Sequence, residues 1–199
     1  MIMIDFFING QKIDVQIEDE QTIGDVLSSF EKTCEENQAA VIGIAVDGKT
    51  ITAETFDDEA RKPLSKNMKF EFSVVTKSDI QMSLTKLSEL FANLAGQMES
   101  VPSALQSGKN KEVSESIKNV ADSIDQFCHV AALASLFPET FKIINIDGVS
   151  FKDFFADFSP ILKDFEDALK NNDTVMIGDL SEYEICPRLQ AISKALEKR

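Results

Sequence analysis

Tryptophan is absent from this 199-residue chain, and tyrosine and histidine occur once each, as Tyr183 and His129. The 15 phenylalanines make up nearly all of the aromatic content. A phenyl ring has no hydrogen-bonding handle, so this composition favours packing over polar recognition. Cysteine is scarce: Cys34, Cys128 and Cys186 are odd in number, widely spaced and without a CxxC pair. That pattern fits free, buried thiols in a reducing compartment better than disulfides. Glycine is also scarce, at eight residues, and none sits in a phosphate-binding loop.

Positive charge is in deficit. Twenty basic residues face 34 acidic ones, a net charge of −14. The deficit is shared, with 8 basic and 15 acidic residues in 1–77 and 12 and 19 in 78–199. Either half would repel a phosphate backbone or an anionic leaflet, so nucleic-acid binding is not expected. Long apolar runs are missing as well. The longest, Ala39 to Val46, is too short to span a bilayer. The opening "MIMIDFFINGQK" has no basic segment and alternates, unlike a signal peptide, so a cytoplasmic protein is expected.

What is present begins with alternation. "IMIDFFI" (2–8) and "IDVQI" (13–17) have the period of half-buried strands, and Asn9-Gly10 between them suits a type I′ turn. That register opposes Phe6 to Ile13, Ile4 to Val15 and Ile2 to Ile17 on one face, leaving Met3 and Phe7 on the other. Thr22 and Asp25 form a capping box for a helix that carries Ile23, Val26, Leu27 and Phe30, closed by Asn37 in a left-handed conformation. "AAVIGIAV" is apolar on both sides, as in a central strand. Asp47-Gly48 turns into "KTIT", an irregular stretch follows, and "MKFEFSVVT" sets Phe70, Phe72 and Val74 on one face.

Strand, strand, helix, strand, short strand, final strand is an order that resembles the β-grasp fold of ubiquitin. "NGQKIDVQIEDEQTIGDV" is similar to its hairpin and helix entry, "IGIAVDGKTI" to its third strand and turn, and "LSKNMKFEFSVV" to its last strand. The resemblance implies a β-grasp domain over residues 1–77. Ubiquitin-like tags and sulfur carriers end in a free Gly-Gly. Here Val75 is followed by "TKSDIQMSL", which has none and runs into a helix. A scaffold is expected, not a tag.

Residues 78–199 predict an antiparallel four-helix bundle, making the whole chain α+β. Ser78 or Asp79 can cap the first helix. Ile80, Leu84, Leu87, Phe91, Leu94, Met98 and Val101 then form a 4-3 heptad seam. Gly108 breaks it, and Val113, Ile117, Val120, Ile124, Phe127, Ala131 and Ala134 form a second seam. Residues 142–146 are read as extended. Ser150 and Asp153 cap a third helix with a wide apolar face from Phe151 to Leu169, in which Ser159 and Pro160 allow a restart. Asp173 caps the fourth, with Val175, Met176, Leu180, Tyr183, Leu189, Ile192 and Leu196 inside and a kink at Pro187. The short connection "VVTKSDIQ" predicts two halves folded against each other.

Chemistry finds little to stand on. A carboxylate-bridged metal pair in a bundle needs Glu-x-x-His on two helices, but Gln126 stands where a Glu would be and no second histidine exists. Cys128 and His129 are adjacent, so on a helix they diverge by about 100°. His129 with Asp125 as its orienting partner is conceivable as a general base, but a partly exposed helix residue is the better reading. Asp153, Asp157 and Asp164, and likewise Asp179 and Glu182, are better read as solvated faces than as acid–base pairs. No cofactor, no metal and no enzyme activity are expected. The function expected is a non-catalytic protein-interaction module, an adaptor or chaperone-like binder of another protein. The alternative is a structural subunit that self-associates through its helices, for example as a homodimer, and a distant third is an enzyme with a site between the domains. The segment "GDLSEYEICPRL" is the least ordinary of the helical half. Leu180, Glu182, Tyr183, Glu184, Pro187 and Arg188 are the candidate protein-binding residues there. Pro187 would leave the Tyr183 carbonyl without its backbone donor. A kink that merely improves packing is the better reading, and the other is a binding notch, for which Pro187→Ala would straighten the helix and weaken capture more than stability.

Overall fold

A computed structural model describes residues 4–15, 17–141 and 144–197 as a mixed α and β chain, with an N-terminal sheet followed by helices. It divides into two compact units, Met1–Asp79 and Ile80–Arg199. Among the described residues no helix is long and apolar enough to cross a membrane.

The first unit holds β1 (Ile4–Ile8), β2 (Gln11–Ile13), α1 (Ile23–Glu36), β3 (Ala39–Val46), β4 (Lys49–Thr50), α2 (Phe56–Ala60) and β5 (Met68–Thr76). The sheet order is β2-β1-β5-β3-β4, with β1 parallel to β5 and the other pairs antiparallel. Asn9 and Gly10 both have positive φ (49° and 80°), and Phe6 opposes Ile13 as the turn dictates. The ladder ends at Ile13, so Val15 never meets Ile4 and is exposed. The expected places of Ile2 and Met3 lie outside the described residues.

Both turn residues also extend the sheet. The Asn9 side-chain amide donates to the Val74 carbonyl (3.0 Å), and its Oδ1 accepts from the Val74 N–H (2.9 Å). Asp47, at φ 51°, accepts from the Lys69 N–H and donates its own N–H to the Lys69 carbonyl, each at 2.8 Å. A residue that pre-sets positive φ thus also clamps the central strand β5.

The capping box at Thr22 and Asp25 is present, and α1 lays Ile23, Val26 and Leu27 on Phe6, Phe70 and Phe72. It ends one residue later than expected: Asn37 has φ −98°, and Gln38 takes the left-handed conformation at 53°. The bulge at Ile42 breaks the two-sided apolar pattern of β3, leaving that side chain 48% exposed. The stretch between β4 and β5 contains the short helix α2. Its buried Glu59 is held by Lys49 and by Lys62 (2.6 Å). On the outward side, Phe7 lies under the Lys69 ammonium (4.7 Å), beside the pairs Lys12–Asp5 and Lys69–Glu71.

The cap of α3 (Lys77–Gln106) is Thr76, the last residue of β5, and neither Ser78 nor Asp79. Its hydroxyl accepts from the Asp79 N–H, and the Asp79 carboxylate accepts from the Thr76 N–H. All seven residues of the first seam are buried. The second seam, on α4 (Asn110–Ala134), shifts by one position: Ser123 and Val130 are buried where Ile124 and Ala131 are only half-buried. Cys128 is exposed, against the expectation of a buried thiol, and so is His129.

A hairpin of β6 (Asn145–Ile146) and β7 (Val149–Ser150) follows, turned by Asp147-Gly148 at φ 50° and 83°. The expected extension over 142–143 lies outside the described residues. Ser150 caps α5 (Phe151–Lys170), which passes through Pro160 without a restart. Both Pro160 and Ala156, whose carbonyl loses its donor, are exposed, so water can satisfy that carbonyl. The last segment is not one helix. It comprises α6 (Thr174–Asp179), a π-helical turn (Leu180–Ile185) and α7 (Cys186–Leu196).

Candidate functional site

The wide turn follows from spacing. Ile177, Ser181, Ile185 and Leu189 are all buried and step by four. On an α-helix each such step drifts about 40° from the previous residue, which would swing Leu189 away from the side that Ile177 faces. A π turn, with more residues per revolution, keeps all four inward. The Cys186 N–H accordingly donates to the Ser181 carbonyl, an i+5 to i bond, and the Ser181 hydroxyl returns to the Ile177 carbonyl at 2.6 Å. The irregularity starts well upstream of Pro187, which sits in the first turn of α7 where a missing N–H is tolerated. The irregular turn therefore begins before the proline.

The same phase turns other residues outward. Val175 is 72% exposed, Tyr183 65% and Met176 40%, although all three were expected inside. With Leu180 they line an open notch of about 530 Å³, rimmed by Asp173, Asp179 and Glu184. Asp173 also caps α6, accepting from the Met176 N–H at 3.0 Å. The Glu182 charge, a hydrogen bond to Glu182 and the Asp179 charge push the Tyr183 phenol above its usual pKa, so it remains a neutral donor. The site is an apolar floor inside an anionic rim.

Of the six residues singled out from sequence, Leu180, Tyr183 and Glu184 line the notch. Glu182 flanks it beside Tyr183. Pro187 is exposed outside the lining, and Arg188 is turned away. The Arg188 guanidinium donates to Asp157 of α5 (2.7 Å), to the Glu184 carboxylate (2.7 Å) and to the Glu184 carbonyl (3.0 Å), 5.9 Å from the Phe158 ring centre. Burial lowers its pKa, and the hydrogen bonds to Asp157 and Glu184 more than offset that. Arg188 is a strut. Sequence reasoning missed Asp173, Val175, Met176 and Asp179. The available signal was the four-residue step through Ser181, which places Val175 and Met176 on the opposite side.

A family model described as "Domain of unknown function (DUF8042)" matches residues 82–195. The chain belongs to the DUF8042 family. A second model, described as the TP0873 N-terminal domain, matches residues 4–76, so the notch falls in the DUF8042 portion and the sheet in the other. The chain is also similar, at 23% identity over 193 residues, to an "Uncharacterized protein" of Treponema pallidum (strain Nichols), covering 97% of this chain and 96% of that relative. Both units are thus shared in the same order. No solved structure matches the chain.

Proposed function

We propose that this chain is a non-catalytic protein-interaction module, cytoplasmic, with a ubiquitin-like β-grasp unit followed by an antiparallel four-helix bundle whose last helix carries the π turn. It captures a basic, amphipathic segment of another protein on the notch. The observation that carries the reading is the cluster of Val175, Met176 and Tyr183, exposed together inside a rim of carboxylates. Exposed apolar side chains clustered within a polar rim are the anatomy of a docking surface, and the negative rim selects for lysine and arginine around an apolar anchor. The β2-β1-β5-β3-β4 order with its parallel β1–β5 pair supports the ubiquitin-like assignment, and the run of β5 into α3 supports a scaffold role over a tag.

Self-association through the heptad seams has less to support it, because those seams are buried within the helical unit. The test is photocrosslinking from position 175 in the native cell, with position 118 on the exposed side of α4 as control. One discrete heterologous adduct from 175, lost in the rim variant Asp179→Lys, is the expected result. An adduct of two copies of this chain, or equal labelling from 118, overturns the proposal.

A further inference from the structure

A second cavity lies on another side of the helical unit, between α4 and α5. It is a cleft of about 370 Å³, within the size range of small-molecule sites. Met98, Val120, Phe165 and Ile185 form a floor that is almost inaccessible to water, and Ile117 and Leu162 form half-buried walls. A floor this apolar suits a hydrocarbon chain better than a polar metabolite.

Its mouth is chemically different. Ser159 and Lys163 stand four residues apart on α5, hence on one face and within reach of one ligand group. Among the described residues Lys163 makes no close ion pair and reaches Glu166 only through its charge, whereas Lys170 holds Glu166 at 2.7 Å and Asp167 at 3.7 Å. Glu166, also at the mouth, is therefore already engaged. Other helix serines return their hydroxyls to the preceding turn, as Ser123 does to the Asn119 carbonyl and Ser114 to that of Asn110. Ser159 makes no such bond among the described residues. A cation with no close ion pair and a hydroxyl donor thus stand at the open end of an apolar cleft.

We propose that this cleft binds the anion of a single-chain fatty acid, with the tail over Phe165 between α4 and α5 and the carboxylate held by the Lys163 ammonium and the Ser159 hydroxyl. The anion is specified by the donors, since both give hydrogen bonds and one carries charge. The tail is specified by the floor, which offers no polar partner. The inference is independent of the notch, since the two sites share no lining residue.

The test is titration of the full chain with decanoate below its micelle threshold, followed in ¹H–¹⁵N spectra. Saturable shifts confined to 117–121 and 159–166 are expected. Lys163→Glu should weaken binding about tenfold or more, the loss of one charge-assisted contact. Ala121→Phe, at an exposed rim position, should block the slot, and decanol should bind more weakly and ignore the Lys163 change. Melting curves of both variants must match the parent. Binding only above the micelle threshold, shifts centred on Val175 and Tyr183, or unchanged affinity in both variants would each overturn the proposal.

Discussion

In the N-terminal unit the rings of Phe6, Phe30, Phe70 and Phe72 meet within 7–20° of parallel, whereas in the helical unit the phenylalanine pairs cross at 39–85°. Backbone geometry accounts for the difference. The neighbouring strands β1 and β5 project Phe6, Phe70 and Phe72 in one direction, so their flat rings line up side by side, and Phe30 of α1 lies flat on Phe72. In the helical unit Phe127 meets Phe91, Phe151 and Phe155 across helices, while Phe151, Phe154, Phe155 and Phe158 meet along α5, where side chains leave one backbone at different angles and the rings settle tilted or edge to face. The first unit therefore depends on a few rings in fixed register. The second spreads its phenylalanines over a broader, more forgiving contact.

The sharpest way to break that contrast is Phe70→Ala. Phe70 is fully buried and belongs to two of the stacked pairs, so the change should cost about 3–5 kcal/mol. Amide protection should fall across β1, β3 and β5 together. The distinguishing variant is leucine, which replaces the volume but not the flat face. Phe70→Leu should cost more than Phe127→Leu in the edge-to-face cluster. Equal losses in urea unfolding would show that ring orientation carries no energy here.

Acid should separate the units next. Hydrogen bonds lower the carboxylate pKa of Glu20 (from Ser29), Asp25 (from Gln21 and Thr22), Glu59 (from Lys49 and Lys62) and Asp79 (from Thr76). All four lie in the first unit. In the helical unit Glu166, beside Lys170, is the carboxylate so lowered among the described residues. A depressed folded-state pKa contributes stability that is present above the unfolded value, near 4, and lost as pH falls through the folded one. Spectra taken from pH 7 down to pH 3 should therefore lose the β-sheet resonances before those of α3 and α7. Glu59→Gln should narrow the gap. If the helical resonances go first, the capping and ion-pair carboxylates do not govern acid stability.

How far each unit is legible in the sequence follows the same divide. Turns and caps depend on one or two residues with sharp conformational demands. Asn9-Gly10, Asp47-Gly48, Thr22 with Asp25, Ser150 with Asp153 and Asp173 all stand where the sequence places them. Asp147-Gly148 carried the same signal for a hairpin, yet the sequence reading stops at an extended 142–146 and pairs it with nothing. Helix phase is harder, because it depends on which polar residues go inside. Ser181 and Ser123 are buried and satisfied by carbonyls one turn earlier, and treating them as surface residues misplaces Val175, Met176 and Tyr183 on one helix and shifts the seam on the other. Proline misleads in both directions. Pro160 leaves α5 intact, while the real break precedes Pro187. Only Leu180, Tyr183 and Glu184 of the seven residues lining the notch were therefore visible.

A smaller effect tests the double role of the turn residues. Asn9→Gly preserves positive φ but deletes both side-chain bonds to Val74. These bonds are exposed, so the expected loss is about 1 kcal/mol, well below that of Phe70→Ala. Asn9→Ala adds backbone strain at φ 49° and should cost more. Should glycine prove neutral by denaturant unfolding, the clamp on β5 contributes nothing and only the turn conformation matters.

The smallest expected effect is that of Pro187→Ala. If the proline created the irregular turn, alanine would restore an α-helix through Leu180–Ile185, and the side chains of Val175 and Tyr183 would change phase relative to Leu189. If burial of Ile177, Ser181, Ile185 and Leu189 creates it, the turn survives, because straightening would pull a buried residue out of the core. The observed geometry favours burial, since the i+5 bond from Cys186 to Ser181 involves no proline atom. Removing an exposed, compatible proline then acts mainly on the unfolded chain, costing about 0.4–1 kcal/mol. Carbonyl and Cα shifts of residues 179–186 should be those of the parent, and crosslinking from position 175 should persist. Helical shifts throughout 174–196 in the variant would assign the turn, and with it the exposure of the notch, to Pro187.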